Sequence, residues 1–244
     1  MKIGVSSDVG KVRDINQDSY FCSNIEALPL FAVADGMGGH NAGEIASSLA
    51  IDIIKKYLYD NKEDLINGLI TIPKFINNSL NKANEAILAH SLNNEKCNGM
   101  GTTITMVYLT KEEIFVGHVG DSRAYLLREK SLKQLTHDHS LVAELVRNGS
   151  ITQEEAINHP QKNIITRALG TDKDVKVDIL SREIEEDDII MLCTDGLTNM
   201  VSDKEITEII LQNKNIEKAS KALTMTANKL GGSDNTTVML IKIK

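Results

Sequence analysis

Apolar and polar positions along the chain change period several times, and each change marks an element. Ile3-Gly4-Val5 and Ser19-Tyr20-Phe21-Cys22 alternate like strands, and Leu30-Phe31-Ala32-Val33-Ala34 is a continuous apolar run that ends in Asp35-Gly36. A helix is expected from about Asn41, with Asn41 as N-cap, Glu44 at the third helical position, and Ile45, Leu49 and Ile53 along its apolar face. A second helix is expected over about 72–92, with Phe75, Ile76, Leu80, Ala83 and Ile87 on one side. From Gly101, three β-branched and aromatic runs, Thr102–Tyr108, Ile114–Val119 and Arg123–Leu127, read as an antiparallel meander. Residues from about 140 to 170 read as short helices and irregular connections, with Thr152-x-x-Glu155 as a capping box. Ile189–Cys193 is another buried strand and ends in Thr194-Asp195-Gly196. Two helices follow, one opened by Ser202-x-x-Glu205 and one carrying Ile216, Ala219, Leu223 and Leu230. The strand Thr236–Ile241 comes directly after Gly231-Gly232-Ser233-Asp234-Asn235. Blocks of strands with helices inserted argue for α+β with antiparallel sheets, not a βαβ repeat.

No repeat, low-complexity tract or linker divides the 244 residues, so a single domain over 1–244 is expected. Acids outnumber bases 34 to 27, a net charge of -7, which argues against a sequence-independent grip on nucleic acid and, at first sight, against anionic substrates. Cys22, Cys97 and Cys193 are odd in number and form no C-x-x-C pair, so neither a disulfide framework nor a structural zinc site is expected. The N-terminus reaches a charge before a signal peptide could build, and no run approaches the roughly 18 apolar residues of a membrane span. A soluble cytoplasmic monomer with no membrane insertion is the expectation.

Two apolar strands end in the same punctuation, Asp35-Gly36 and Asp195-Gly196, and a third strand begins just after Asp234. One Asp-Gly is ordinarily a turn. Repeated at the ends of buried strands, the aspartates can converge on one rim, where they repel unless a cation neutralises them. All-oxygen ligation suits Mg²⁺ or Mn²⁺, and the following glycine lets a backbone carbonyl approach the ion. Beside such a cluster, Arg13 becomes a candidate for bidentate phosphate recognition.

In chain order stand Gly10-x-x-Arg13-x-x-Asn16-Gln17-Asp18, Val33-Ala34-Asp35-Gly36-Met37-Gly38-Gly39-His40, Gly101-Thr102-Thr103, Gly117-His118-Val119-Gly120-Asp121-Ser122-Arg123, Thr136-His137-Asp138-His139-Ser140, Thr194-Asp195-Gly196-Leu197 and Ser233-Asp234-Asn235-Thr236-Thr237. Taken together they resemble the PPM family of metal-dependent serine/threonine protein phosphatases, type 2C, in its bacterial branch. The resemblance implies an αββα sandwich of two antiparallel sheets flanked by helices, with two divalent cations, Mn²⁺ or Mg²⁺, at one end. It implies Asp35 bridging both ions, the Gly36 carbonyl on one, and Asp195 and Asp234 on the other. Asp121 would join Asp195 at a weaker third site, and Asp18 would hold metal-bound water from outside the ligand set. A flap over about 139–168 would flank the cleft. Phosphorylated proteins would be the substrates, and a membrane-anchored bacterial Ser/Thr kinase the functional opposite.

The expected chemistry is direct attack on a phosphomonoester by hydroxide held between two ions about 3.5–4 Å apart, with Arg13 orienting the phosphate. Eukaryotic relatives carry histidine directly after the Asp-Gly, where this chain has Met37. His40 is the nearest substitute as leaving-group acid; an orienting role for His40, or proton donation by water, stands beside it. Rival readings fare worse. Gly36-Met37-Gly38-Gly39 lacks the third glycine of a dinucleotide turn, holding Asn41 there, and no Walker sequence occurs. Ser122 lacks the downstream pair of a serine esterase, and His118 and His137-Asp138-His139 read as packed or loop residues. Cysteine phosphatase chemistry needs arginine six positions after the cysteine, where Leu28, Thr103 and Asn199 stand. The remaining alternative to an enzyme is a catalytically silent phosphoprotein-binding module, which should have lost Asp35, Asp195, Asp234 or Arg13. Five acids at one site with two or three divalent ions, about +4 to +6 of charge, also remove the objection to anionic substrates.

Overall fold

A computed structural model describes residues 1–23, 25–38 and 42–244. Along the chain run β1 (Lys2–Asp8), β2 (Asp18–Cys22), β3 (Leu30–Met37), α1 (Gly43–Asp60), α2 (Lys62–Ile66), α3 (Ile72–Asn93), β4 (Gly101–Thr102), β5 (Ile104–Leu109), β6 (Glu113–Val119), β7 (Arg123–Arg128) and β8 (Ser131–Gln134). There follow α4 (Leu141–Arg147), α5 (Gln153–Ile157), β9 (Asp178–Glu183), β10 (Ile189–Cys193), α6 (Asp195–Thr198), α7 (Asp203–Gln212), α8 (Ile216–Lys229) and β11 (Thr236–Lys242). His40, the candidate leaving-group acid, and Asn41, the expected cap, lie outside the described residues.

The strands form two antiparallel sheets, β1-β11-β10-β7-β8 and β2-β3-β5-β6-β9, with β4 paired to β3. The period-2 geometry of a strand divides each apolar run between two cores. In β3, Leu30, Ala32 and Ala34 pack with α1 and α3, while Phe31 and Val33 face the other sheet. In β11, Val238 and Leu240 pack under α7 and α8, while Met239 and Ile241 face inward. Both faces of these strands are covered, which is why the sequence there is continuously apolar instead of alternating. The layers are therefore helix, sheet, sheet, helix, the αββα sandwich that the resemblance implied.

Most elements form where the periodicity put them. The capping boxes at Thr152 and Ser202 are both made, each with the reciprocal glutamate bond that satisfies two otherwise free backbone donors at the helix start. Three expectations need correction. The buried stripe of α1 is Ala46, Ala50, Ile54 and Leu58, while Ile45 is exposed and Leu49 and Ile53 lie at the edge of the core. Small residues let the helix approach the sheet closely, and the large ones wrap its flanks. The meander from Gly101 is split: β6 pairs with β5 and β9, whereas β7 pairs with β10 and β8, so the chain changes sheets at Gly120-Asp121-Ser122. Leu230 lies just past α8 and is exposed.

No described helix is long and apolar enough to cross a membrane. All three cysteines are free thiols.

Candidate active site

Asp35 sits near the end of β3, two residues on from Val33 and so on the face toward the opposite sheet. Its backbone is pinned from three directions: its N–H donates to Thr103 Oγ1 at 3.0 Å, and its carbonyl accepts from the Thr103 N–H at 2.9 Å and the Thr102 hydroxyl at 2.8 Å. Directly across the β2–β3 register stands Asp18. Two carboxylates opposite each other destabilise a ladder unless something compensates them. Part of the compensation comes from the other sheet, where the hydroxyls of Thr194 and Thr237 donate to Asp18 Oδ2 at 2.9 and 2.7 Å. Asp18 thus ties the ends of β10 and β11 to β2.

Gly36 and Gly196 have a sharper role than carbonyl freedom. A Cβ on Gly36 would lie 2.0 Å from the Gly43 carbonyl oxygen at the start of α1, and one on Gly196 would lie 2.0 Å from the Asn235 carbonyl oxygen. Each Asp-Gly is therefore a point where two backbones touch, which draws the aspartates of separate elements together.

Asp195 opens α6, and its Oδ2 accepts from Asn199 at 2.9 Å. Asp234 accepts from the Asn235 N–H at Oδ1 and from Arg13 Nη2 at Oδ2, both at 2.9 Å. Arg13, half exposed, is therefore already seated on a carboxylate. The loop carrying it is held by Asn235, which takes the Gln17 N–H at 2.9 Å and donates to the carbonyls of Val9 and Ile15 at 2.9 and 3.0 Å. Asp121 stands in the passage from β6 to β7, next to Ser122, whose hydroxyl meets Thr103 Oγ1 at 2.8 Å.

The structure thus brings Arg13, Asp18, Asp35, Asp121, Asp195 and Asp234 to one end of the sandwich. Burial, and then the charges of Asp18, Asp195, Asp121 and Asp234, hold the Asp35 carboxyl well above the usual range. Burial also pushes Asp18 up to about 7, against its two threonine bonds, and Asp121 up to about 8. Asp195 rises by burial and the neighbouring Asp234. Among the described residues no three carboxylate, imidazole or thiol groups close into a ready ligand shell. Mg²⁺-like ions need no such cage, because one or two carboxylates and several waters complete their octahedron. The donor chemistry fits: four buried side-chain oxygens lack a partner among the described residues, and two of them are Asp18 Oδ1 and Asp121 Oδ1. An unpartnered buried carboxylate oxygen is costly, and a divalent cation or its water is the group that relieves it.

Sequence reasoning passed over the hydroxyls and amides that hold these acids: Thr103, Thr194, Asn199, Asn235 and Thr237. The signal lay in the run Ser233-Asp234-Asn235-Thr236-Thr237, where polar residues open a strand that proves buried from Asn235 onward. His118 and His139 are buried as structural residues, and Asp138 accepts Arg123 in a forked ion pair at 2.7–3.0 Å. A cavity of about 710 Å³ lies between the α7–α8 turn and Lys2, Ile189 and Lys242. The register Lys2↔Lys242 and Asp8↔Thr236 puts it at the opposite end of the sheet from the carboxylates.

Comparison with known proteins places the chain in a family. A family model described as Protein phosphatase 2C matches residues 11–230. The chain is 38% identical over 240 residues to the serine/threonine phosphatase stp of Listeria welshimeri, covering 97% of this chain and 93% of that protein. The serine/threonine phosphatase structure from S. agalactiae superposes with a TM-score of 0.92 at 37% identity, covering 100% of this chain and 99% of the other. The catalytic domain of the serine threonine protein phosphatase PstP, solved in complex with two manganese ions, gives 0.86 at 36% identity, covering 100% and 98%. With the sandwich, the ordered motifs and the carboxylate rim all in agreement over nearly its full length, the chain belongs to the protein phosphatase 2C family, the PPM-type serine/threonine phosphatases.

Proposed function

We propose that this protein hydrolyses phosphoserine and phosphothreonine in phosphorylated proteins, using two divalent cations, Mn²⁺ or Mg²⁺, held by Asp35, the Gly36 carbonyl, Asp195 and Asp234. A weaker third cation would sit at Asp121 and Asp195. The observation that carries this reading is the partly buried, mutually repelling set of carboxylates with buried, unpartnered oxygens on Asp18 and Asp121. Divalent cations, when bound, supply positive charge for the phosphoryl oxygens and lower the pKa of a water.

The chain's own groups do the rest. Asp18, fixed through Oδ2, keeps Oδ1 for the proton of a water in the cleft. Arg13 bonds Asp234 through Nη2 alone, which leaves most of its planar fork for two oxygens of a phosphate. The segment 139–168 serves as the flap beside the cleft; α4 and α5 bury no side chain, so this surface is available to a protein substrate. Three free thiols suit a reducing cytoplasm. A membrane-anchored Ser/Thr kinase as functional opposite rests on the family resemblance.

The test is hydrolysis of p-nitrophenyl phosphate and of a phosphothreonine peptide with Mn²⁺, abolished by chelation and restored by added Mn²⁺. Failure to turn over either substrate with Mn²⁺ present would favour the silent binding module. Arg13→Ala should raise KM for the peptide about tenfold or more, the worth of a charge-assisted hydrogen bond pair, with a smaller change in kcat. A fall in kcat alone would contradict the phosphate-binding role.

A further inference from the structure

We propose that His139 is a positioning residue for Asp121, fixing the backbone just before that carboxylate and joining it to both ends of the flap. The inference rests on the reading that Asp121 holds the weaker third cation. Gly120 and His139 bond each other twice: the Gly120 N–H donates to His139 Nδ1 at 2.9 Å, and the His139 N–H donates to the Gly120 carbonyl at 2.8 Å. Gly120 lies at φ +114°, and a Cβ there would meet the Thr103 side chain at 2.5 Å. Thr103 in turn receives the Asp35 N–H. The imidazole therefore clamps the passage from β6 to β7, where the chain changes sheets immediately before Asp121.

The same residue begins the flap. The His139 carbonyl accepts from the Thr166 N–H at 2.8 Å, the Leu141 N–H donates to the Ile164 carbonyl at 2.9 Å, and Ser140 bridges Ile165. The two roots of the flap are thus stitched to each other, with His139 holding Thr166 of the far root, while α4 and α5 beyond them bury nothing. The ring's proton follows from its partners. With Nδ1 accepting from Gly120, Nε2 carries the hydrogen and donates to Asp178 Oδ2 at 3.1 Å, at the start of β9. Arg167 Nη1, 2.8 Å from Nε2, gives its own hydrogens to Asp178 Oδ1 and the Lys176 carbonyl. His118 stacks behind the ring at 4.7 Å.

Two near-isosteric variants separate the two ring bonds. In His139→Asn the side-chain oxygen can replace Nδ1 and keep the Gly120 bond; in His139→Gln the amide nitrogen can replace Nε2 and keep only Asp178. Mn²⁺ titration of the whole protein, read by calorimetry, should show two tight sites and one weak one. His139→Gln should weaken the weak site about tenfold with the tight sites unchanged, and His139→Asn should stay within about twofold of wild type, as expected for a group that orients a ligand. Equal weakening in both variants, or none in the Gln variant while Asp121→Asn abolishes the weak site, overturns the proposal. If Asp121→Asn keeps the weak site, the Asp121 assignment falls and the positioning role with it. Should the Gln variant lose its tight sites through misfolding, amide exchange in the wild type decides: the Gly120 N–H must be strongly protected, and rapid exchange there overturns the clamp.

Discussion

Asp35→Asn should abolish Mn²⁺-dependent phosphatase activity and, in the same preparation stripped of metal, make the protein more stable. The loss should exceed the about 100-fold that removing a group orienting a metal ligand costs, because Asp35 itself is the proposed bridge. The gain has a separate cause. Asp35 is partly buried and faces Asp18, Asp195, Asp121 and Asp234, so at neutral pH it either bears an opposed charge or takes a proton that the unfolded chain does not hold. Asparagine removes that cost and keeps the shape of the side chain. A gain of at least about 1 kcal/mol corresponds to about 2–4 °C in Tm for a chain of this size. Thermal unfolding after chelation and initial rates with Mn²⁺ check the two halves. Lower stability without metal would make Asp35 a structural hydrogen-bonding residue and remove the main support for the cation site.

The legible parts of the sequence are those where one principle acts alone. β10 and α3 follow from apolar runs with clear period, and the boxes at Thr152 and Ser202 follow from local hydrogen bonding. The aspartates were legible because Asp-Gly recurs at strand ends, and the resemblance then set their order. Other features depend on partners distant in the chain. That β6 and β7 belong to different sheets is decided at Gly120, where nothing in the flanking β-rich runs records the change of partner. β9 was missed because Asp178–Glu183 is an edge strand of half-buried residues without clean alternation. The buried stripe of α1 was displaced because alanines carry little weight in a hydrophobic pattern, yet they govern how closely a helix approaches a sheet. Asn235 pins a loop more than 200 residues away in the chain, a role no local pattern announces.

In metal-free protein, stability should fall as pH rises from about 6.5 to 8, and Mn²⁺ should stabilise the fold more at each step. Asp18 titrates near 7 and Asp121 near 8 when folded, against an ordinary carboxyl value of 3.8, so both groups retain protons that the unfolded chain releases. A folded state that holds more protons loses about 1.4 kcal/mol per pH unit for each proton of difference. Their favourable contribution is complete below pH 3.8 and lost as pH passes the folded values. Two histidines act in the opposite sense. Burial draws His118 down to about 4 and lowers His139 as well, so their contribution grows with pH up to the ordinary histidine value of 6.5 and is constant above it. Below 6.5 the two effects oppose each other; above it the carboxylates set the slope. Bound cations require the ionised carboxylates and compete with protons for them, so binding strengthens through the same interval. Unfolding midpoints in urea at pH 6.5, 7, 7.5 and 8, with chelator and with Mn²⁺, should therefore diverge steadily. Parallel curves would mean that Asp18 and Asp121 are already ionised in the metal-free fold, and a divalent site built on their repulsion would lose its physical basis.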